Sequence, residues 1–491
     1  MRKVHCGLPI ALFLVWSALT GVGLLSATLW QGVTPVDYQA YQCAAAALAR
    51  GASPYQTPAQ SLATWRSYHR LDVRLHTAYA RGASGRVRGG DPLARTQPGP
   101  YLYLPTLALV VWQLHLTAAP WEVLDLACVV AFPLLLLRWA RASWWWLLLV
   151  AGSWDVWATY SGGNVEAMLL VGAIVAARLL WPPRPLGRAA VPLAAVLVAF
   201  VVLAKPFYVL FFVAFGVVLL LASGASRRAT LRTLGAVAGL AVLLLAGEAI
   251  RWGPTLRGDA VRYLAYTLDA QWFVLPVTQQ TPMSAWNRTP LQAFIALGLP
   301  AAPAQVVAAL VWLAALAASA WLVRDRRLSF APAFALAFAL LYLGRPVGWT
   351  LVDLDLVVCV AVWPALPRAG RTLLLVGVLA LLASHWVALV LTGLGDGLPL
   401  LTLQPADRPW ETWLVLPIAW ALAVWAARRF ISRDPAAVPS QDPVSGATTG
   451  DRATVTFRNG REGAPLARTL CPVAAREAVM VRWRRGARDQ G

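Results

Sequence analysis

Apolar runs long enough to cross a lipid bilayer recur along most of this chain. A helix needs about 20 mainly apolar residues to span about 30 Å of hydrocarbon. The first such run covers residues 7–30, and closely spaced runs follow between residues 102 and 431. In lipid, every backbone N–H and C=O group must be paired within its own segment, so these runs must be helices. The sequence therefore predicts an all-α, polytopic membrane protein.

The composition excludes a soluble globular protein, because 59% of the residues are hydrophobic and only 13% are charged. The net charge of +20 is carried almost entirely by arginine, since Lys3 and Lys205 are the only lysines. The arginines lie mainly in short loops between apolar runs, which indicates membrane topology rather than nucleic-acid binding. The five cysteines show no paired spacing, so neither a disulfide framework nor a zinc site is predicted.

The number of apolar runs predicts about 12 transmembrane helices. Thirteen runs qualify as candidates, but a chain with both ends in the cytoplasm needs an even number. The run at residues 102–118 is short and is interrupted by Pro105 and Gln113, so it is the first to exclude. Arg2 and Lys3 favour a cytoplasmic N-terminus. This topology places residues 31–100, 253–290 and 393–411 outside.

Two domains are predicted, a membrane domain at residues 1–431 and a disordered cytoplasmic tail at 432–491. The tail holds ten arginines against six acids, with scattered Pro, Gly and Ser. Residues 31–100 form an extracytoplasmic loop in this prediction. It contains amphipathic helices at 37–50, ended by Gly51, and at 61–79, both lying along the membrane surface.

Polar residues next to apolar runs are the candidates for function, because a charge inside a membrane is costly. Lys205 stands before Pro206 at a junction between two runs. It either extends its ammonium to the membrane surface or binds a phosphate. Asn164 follows Gly162 and Gly163. It either caps the next helix or helps to bind an anion or a sugar hydroxyl.

Three further sites lie later in the chain. Arg288, next to Asn287 in the second outer loop, is either solvated or a phosphate ligand. Arg345 falls at the predicted outer end of its run, against the positive-inside tendency, and is a second phosphate candidate. Asp353 and Asp355 form a D-x-D within an apolar run. Pairing with Arg345 or with another helix is favoured over metal binding there, and no metal site is predicted.

One carboxylate stands directly after the first apolar run. Asp37 begins a predicted helix where the membrane ends and water begins. A carboxylate at such a boundary can accept a proton from a hydroxyl group brought to the surface. Asp37 is therefore the acid best placed by sequence to act as a general base.

The motifs around Asp37 resemble glycosyltransferase family 87, the polyprenyl-phosphate-mannose-dependent α-mannosyltransferases with the C-type membrane fold. The resemblance is strongest in Asp37, Ala40-Tyr41, Ala44-Ala45, Gly51 and Pro54-Tyr55. Tyr101-Leu102-Tyr103-Leu104-Pro105 is similar to the family's Tyr-x-Tyr-Pro-Pro, and Asn287-Arg288-Thr289 to its Asn-Gln-Ser loop. Looser similarities are Ser161 to Asn164 and Lys205-Pro206. The resemblance extends across residues 8–430, without the family's late histidine pair and with an unusual insertion at 56–100.

The resemblance implies inverting transfer of a hexose, most simply mannose, from a polyprenyl-phosphate donor to an envelope lipid or glycan. It implies Asp37 as the base, and it fits Lys205, Arg288 and Arg345 as ligands of the donor phosphate. It further implies substrate contacts from Tyr41, Tyr101, Tyr103, Asn164 and Asn287, with no cofactor. The site would face outward from the plasma membrane. The alternatives are a lipid or polysaccharide transporter or flippase and, ranked lowest, a non-catalytic envelope assembly protein.

Overall fold

The computed structural model describes part of the chain. The described residues are 4–31, 36–49, 51, 53–54, 104–114, 116–153, 156, 160, 163–181, 189–268, 276–278, 281–282, 289–324, 327–345, 363, 371–372, 375 and 379. The chain divides into two units, Met1–Pro435 and Ala436–Gly491, and every described residue lies in the first. The helix predicted at 61–79 and the tail predicted at 432–491 therefore lie outside the described residues.

The described part is helical apart from one short hairpin. The first helices are α1 (Val4–Gln31), α2 (Val36–Ala49), α3 (Pro105–Gln113), α4 (Ala118–Ala140) and α5 (Trp146–Ala151). They are followed by α6 (Glu166–Leu180), α7 (Ala190–Ala204), α8 (Val209–Ala222), α9 (Arg227–Arg251) and α10 (Gly253–Leu268). Strands β1 (Pro276–Thr278) and β2 (Thr281–Pro282) pair antiparallel. The last described helices are α11 (Pro290–Ala296), α12 (Ala301–Val323) and α13 (Phe330–Gly344).

Three of the described helices are long and apolar enough to cross a membrane. They are Ala118–Ala140, Arg227–Arg251 and Ala302–Val323. The chain is thus a helical membrane protein, as predicted, while the total of about 12 spans includes runs outside the described residues and stays a prediction. Helix α3 has 9 residues and is about 14 Å long. It is too short to span, in agreement with the exclusion of residues 102–118.

Helix α2 differs from the predicted surface helix in its burial. It covers Val36–Ala49 and ends at Gly51 (φ +71°), close to the predicted bounds. However, Tyr38 and residues 40–45, 47 and 48 are buried or nearly so, so α2 packs inside the protein rather than along a membrane surface. The physical reason is its alanine-rich sequence, because small side chains let neighbouring helices approach closely.

Helix α13 is the most deeply buried described helix. Every residue from Phe330 to Leu343 is buried. The aromatic rings of Phe330, Phe334, Phe338 and Tyr342 follow each other at intervals of four residues, with centroids 5.7, 5.8 and 5.3 Å apart. This spacing places the four rings on one face of the helix. The packing of these four rings holds the C-terminal end of α13 in place, and Arg345 follows directly after it.

Several helices meet at one end, which we call the Asn164 end. Helix α6 begins there, and α7 and α13 finish there. Helix α4 also begins there, because the Trp121 indole donates a hydrogen bond to the Gly163 carbonyl. At the opposite end, α6 finishes beyond Arg178, and the backbone N–H of Leu328, just before α13, bonds to Ala222 at the end of α8.

Residues 253–290 were predicted as an outer loop, but part of this segment is helical. Helix α10 follows α9 after a turn at Gly253, whose φ of +73° favours glycine. Ala260 of α10 packs with Leu104 and Leu203, the latter two residues before Lys205. The segment mixes polar and apolar residues without a long apolar run, so it contains no strong helical signal.

Candidate functional site

The site begins at the turn that leads into α6. Gly163 has φ +67°, a left-handed conformation that glycine adopts without strain. The Asn164 side chain then accepts a hydrogen bond from the Glu166 backbone N–H at 3.0 Å. Asn164 therefore pairs with the first backbone N–H of α6, although Val165 occupies the N-cap position. This bond helps to set the position of Glu166 as the first residue of α6.

Two aromatic residues hold this turn in place. The Trp121 indole of α4 donates to the Gly163 carbonyl at 2.9 Å, and the Val165 backbone N–H donates to the Tyr41 hydroxyl of α2 at 3.3 Å. The two rings also pack on each other, with centroids 5.1 Å apart. Helices α2 and α4 are therefore both attached to the start of α6.

Lys205 reaches the turn from the end of α7. Its backbone is extended (φ −133°, ψ 98°), as expected for a residue before proline. Its ammonium donates to the Asn164 side-chain oxygen at 3.3 Å and forms an ion pair with Oε2 of Glu166. The alternative of a lysine that extends to the membrane surface is therefore wrong, since this ammonium binds inside the protein.

Two more residues converge on the Glu166 carboxylate. The Tyr208 hydroxyl donates to Oε1 at 2.6 Å. Nη1 of Arg345 lies 3.9 Å from the same oxygen, and the guanidinium carbon of Arg345 is 3.5 Å from the centroid of the Tyr342 ring. Only 4% of the Arg345 side chain is exposed. The carboxylate thus joins the start of α6, the junction before α8 and the end of α13.

The structure brings together four of the predicted site residues: Tyr41, Asn164, Lys205 and Arg345. Asp37 is the second residue of α2, one helical turn before Tyr41, and its side chain lies outside the described part. The described residues also do not include Tyr101, Tyr103, Asn287 and Arg288. The predictions for these five side chains stay predictions.

Glu166 and Tyr208 are site residues that the sequence analysis did not single out. A usable signal was present, because Glu166 begins an apolar helix and Lys205 ends another. Charges in membrane segments almost always pair with one another. The Lys205-Pro206-Phe207-Tyr208 stretch then forms a short 3-10 turn, which brings the tyrosine back to the same carboxylate.

A second pair of acids lies on α4. Glu122 and Asp125 are buried, with 4% and 0% exposure, inside a helix long enough to span the membrane. They are three residues apart and therefore on the same face. This pair was not predicted as a site from the sequence.

The described side chains at the site are suited to binding an anion. An ammonium and a guanidinium are held around one carboxylate, and both are hydrogen-bond donors of the kind that binds phosphate. Among the described residues, no group of three or more His, Cys, Asp and Glu side chains could hold a metal ion. Asp353 and Asp355, which form the D-x-D pattern of the sequence, lie outside the described residues.

Comparison of the chain with protein-family models, with curated proteins and with solved structures found no match. The resemblance to glycosyltransferase family 87 therefore rests on the sequence motifs around Asp37, Tyr101 and Asn287.

Proposed function

We propose that this chain is an inverting glycosyltransferase of the C-type membrane architecture. It transfers a hexose, most simply mannose, from a polyprenyl-phosphate donor to an envelope lipid or glycan. The observation that carries the proposal is that Lys205 and Arg345 both contact Glu166. Glu166 follows the turn in which the Val165 backbone N–H bonds to Tyr41 of α2. Two cations from distant parts of the sequence gather near α2, the helix that contains Asp37.

The donor phosphate is assigned to Lys205 and Arg345. When the bond from the sugar to the phosphate breaks, negative charge grows on the phosphate oxygens, and fixed cations lower the energy of that state. Arg345 is well suited because its packing on Tyr342 limits the freedom of its guanidinium. Arg288 is proposed as a third ligand from the sequence alone.

Asp37 is proposed to act on the acceptor. The acceptor hydroxyl oxygen forms a bond to the anomeric carbon while the bond from that carbon to the phosphate oxygen breaks. The hydroxyl proton passes to the Asp37 carboxylate, and the bonding electron pair leaves with the phosphate. Attack from the face opposite the phosphate inverts the anomeric centre. Tyr41, Tyr101, Tyr103, Asn164 and Asn287 are proposed to contact the substrates, and the proposal assigns no metal or cofactor.

The site is proposed to open to the outer side of the plasma membrane. The end of the described helices that lies away from Asn164 carries Arg138, Arg141, Arg178, Arg227, Arg228, Arg324 and Arg327. Positive residues in short loops favour the cytoplasmic side. The Asn164 end would then face outward, within an architecture of about 12 spans.

The first test is Asp37→Asn in the purified full-length protein, supplied with polyprenyl-phosphate-mannose and a mixed envelope-lipid acceptor. We expect transfer to fall by about 100-fold or more, because general base catalysis contributes about 10²- to 10⁴-fold. The control is Glu248→Gln, which removes an ion pair with Arg251 on α9 and should leave transfer unchanged. Undiminished transfer by Asp37→Asn would remove Asp37 as the base.

A lipid or polysaccharide transporter or flippase is the second candidate. It is favoured by Glu122 and Asp125, because buried acids within membrane segments often line the path of an ion or a substrate. Wild-type protein in liposomes decides between the two. Movement of polyprenyl-phosphate-mannose across the bilayer without formation of a glycosidic bond would favour the transporter. Formation of the bond without movement would favour the transferase.

A further inference from the structure

We infer that Glu166 is an internal counter-ion, which occupies Lys205 and Arg345 when no substrate is bound and which the donor phosphate displaces from them. The inference rests on the proposed function, since it concerns the phosphate side of the same site. It assigns to Glu166 a role in setting donor affinity that goes beyond holding the helices together.

The contacts of the carboxylate are the ones that a phosphate would need. Oε2 pairs with the ammonium of Lys205, and Oε1 lies 3.9 Å from Nη1 of Arg345. Carboxylate and phosphate oxygens accept the same charge-assisted hydrogen bonds from these groups. A phosphate that binds Lys205 and Arg345 therefore competes with Glu166 for the same donors. The longer contact, with Arg345, is the one expected to exchange first.

Glu166 also has partners that it can keep during this exchange. The Tyr208 hydroxyl donates to Oε1 at 2.6 Å, and the backbone N–H of Glu166 is bonded to the Asn164 side chain at 3.0 Å. Neither contact involves a cation. Because a buried carboxylate without hydrogen bonds is costly, Tyr208 supplies the donor that lets Glu166 stay in place while the phosphate binds.

This arrangement would also affect how fast the product leaves. The product of the proposed reaction is a polyprenyl phosphate, and a phosphate between two well-fixed cations would dissociate slowly. A resident carboxylate re-forms its ion pairs as the phosphate departs, which lowers the cost of removing the phosphate from Lys205 and Arg345. Glu166 thus weakens phosphate binding and speeds dissociation, where most differences in affinity arise.

The test measures binding of farnesyl phosphate, a short prenyl phosphate, to the full-length protein in nanodiscs. Farnesol, which lacks the phosphate, is the matched control ligand. We expect Glu166→Gln to bind farnesyl phosphate about tenfold more tightly than wild type, because one competing negative charge is removed. Glu166→Asp keeps the negative charge, but its side chain is one methylene shorter, so the charge lies farther from Lys205 and Arg345. This variant should bind farnesyl phosphate about two- to threefold more tightly than wild type. Affinity for farnesol should be the same in all three proteins.

A purely structural role for Glu166 predicts the opposite direction. If the carboxylate only held α6, Lys205 and Arg345 in place, both substitutions would scatter the cations and weaken binding of farnesyl phosphate. Equal or weaker binding by Glu166→Gln therefore overturns the inference. If the destabilised Glu166→Gln variant does not purify as folded protein, equal or weaker binding by Glu166→Asp overturns it instead.

The same experiment separates failure of the inference from failure of the proposed function. Wild-type protein that binds farnesyl phosphate no better than farnesol would overturn the phosphate-binding role of Lys205 and Arg345, and with it both proposals. Phosphate-dependent binding by wild type without tightening in the Glu166 variants would overturn the inference and leave the proposed function standing.

Discussion

The Tyr208 hydroxyl, a neutral donor, forms a short hydrogen bond to the Glu166 carboxylate. The hydroxyl oxygen lies 2.6 Å from Oε1, and both residues are buried. A hydrogen bond to an ionised group contributes about 1.5–3 kcal/mol to stability, against about 0.5–1.5 kcal/mol for a bond between neutral groups. Tyr208 should therefore contribute more to stability than a buried tyrosine bonded to a carbonyl.

We expect Tyr208→Phe to lower the free energy of unfolding by about 1.5–3 kcal/mol. The matched control is Tyr38→Phe, which removes a hydrogen bond to the neutral Leu116 carbonyl at 2.5 Å, and it should cost about 1 kcal/mol. Both tyrosines are fully buried, so the two substitutions remove the same atom from similar surroundings. Reversible denaturant unfolding in detergent measures the difference. A Tyr208→Phe cost no larger than that of Tyr38→Phe would show that Glu166 gains little from the hydroxyl.

Single residues show how far the site could be predicted from the sequence. Asn164, Lys205 and Arg345 were identifiable because each is a polar exception next to an apolar run. Glu166 was not predicted, because an acid in the first turn of a helix is common and is stabilised by the helix dipole. That Lys205 and Arg345 share Glu166 depends on the packing of α6, α7 and α13, and an isolated sequence does not contain that information.

At the level of elements, the close approach of α6 and α7 brings Glu166 towards Lys205. The approach depends on Gly172 of α6, where an added Cβ atom would lie 2.8 Å from Cγ2 of Val201. Val201 is buried and belongs to α7, one turn before Lys205. A valine side chain in a helix has one strongly preferred rotamer and cannot easily turn away. Glycine at 172 is therefore required for the observed helix spacing.

Gly172→Ala should lower the free energy of unfolding by about 1–3 kcal/mol, the usual cost of overpacking. The control is Gly239→Ala in α9, where an added Cβ atom meets nothing within 4 Å. That variant should be unchanged or more stable by up to about 1 kcal/mol, because alanine favours the helix. Thermal unfolding of the two purified variants makes the comparison. Equal stability of Gly172→Ala and wild type would mean that α6 and α7 can move apart freely.

The elements differ in how well their sequences predicted them. Long apolar runs such as those of α4 and α12 are helical, as predicted, because lipid imposes helical structure on such runs. The bounds of α2 were also close, yet its burial was not predicted, because the sequence favoured an amphipathic helix along the membrane surface. Helix α10 was missed because it lies where the sequence mixes Gly253, Pro254 and charged residues. Its formation depends on contacts such as that of Ala260 with Leu104 and Leu203.

Across the whole described part, basic residues divide unequally between the two ends of the helices. The end away from Asn164 carries the arginines at the end of α4, at the start of α9 and before α13. Among the side chains that the structure describes, the Asn164 end carries Lys205, Arg251, Arg257 and Arg345. Arg345 is buried against Glu166, so it contributes less than an exposed residue to the charge of that surface. This difference supports an outward-facing site.

The proposed topology predicts which exposed positions a membrane-impermeant thiol reagent reaches in intact cells. Thr255 is exposed just beyond the end of α9, at the Asn164 end, and Ser143 is exposed just beyond the end of α4, at the opposite end. In a background without the native cysteines, Thr255→Cys should be labelled in intact cells, because its end faces outward. Ser143→Cys should be labelled only after the membrane is permeabilised, because the positive-inside tendency holds its arginine-rich end in the cytoplasm. The reverse pattern would place Lys205, Glu166 and Arg345 on the cytoplasmic side, where a donor presented at the outer surface could not reach them.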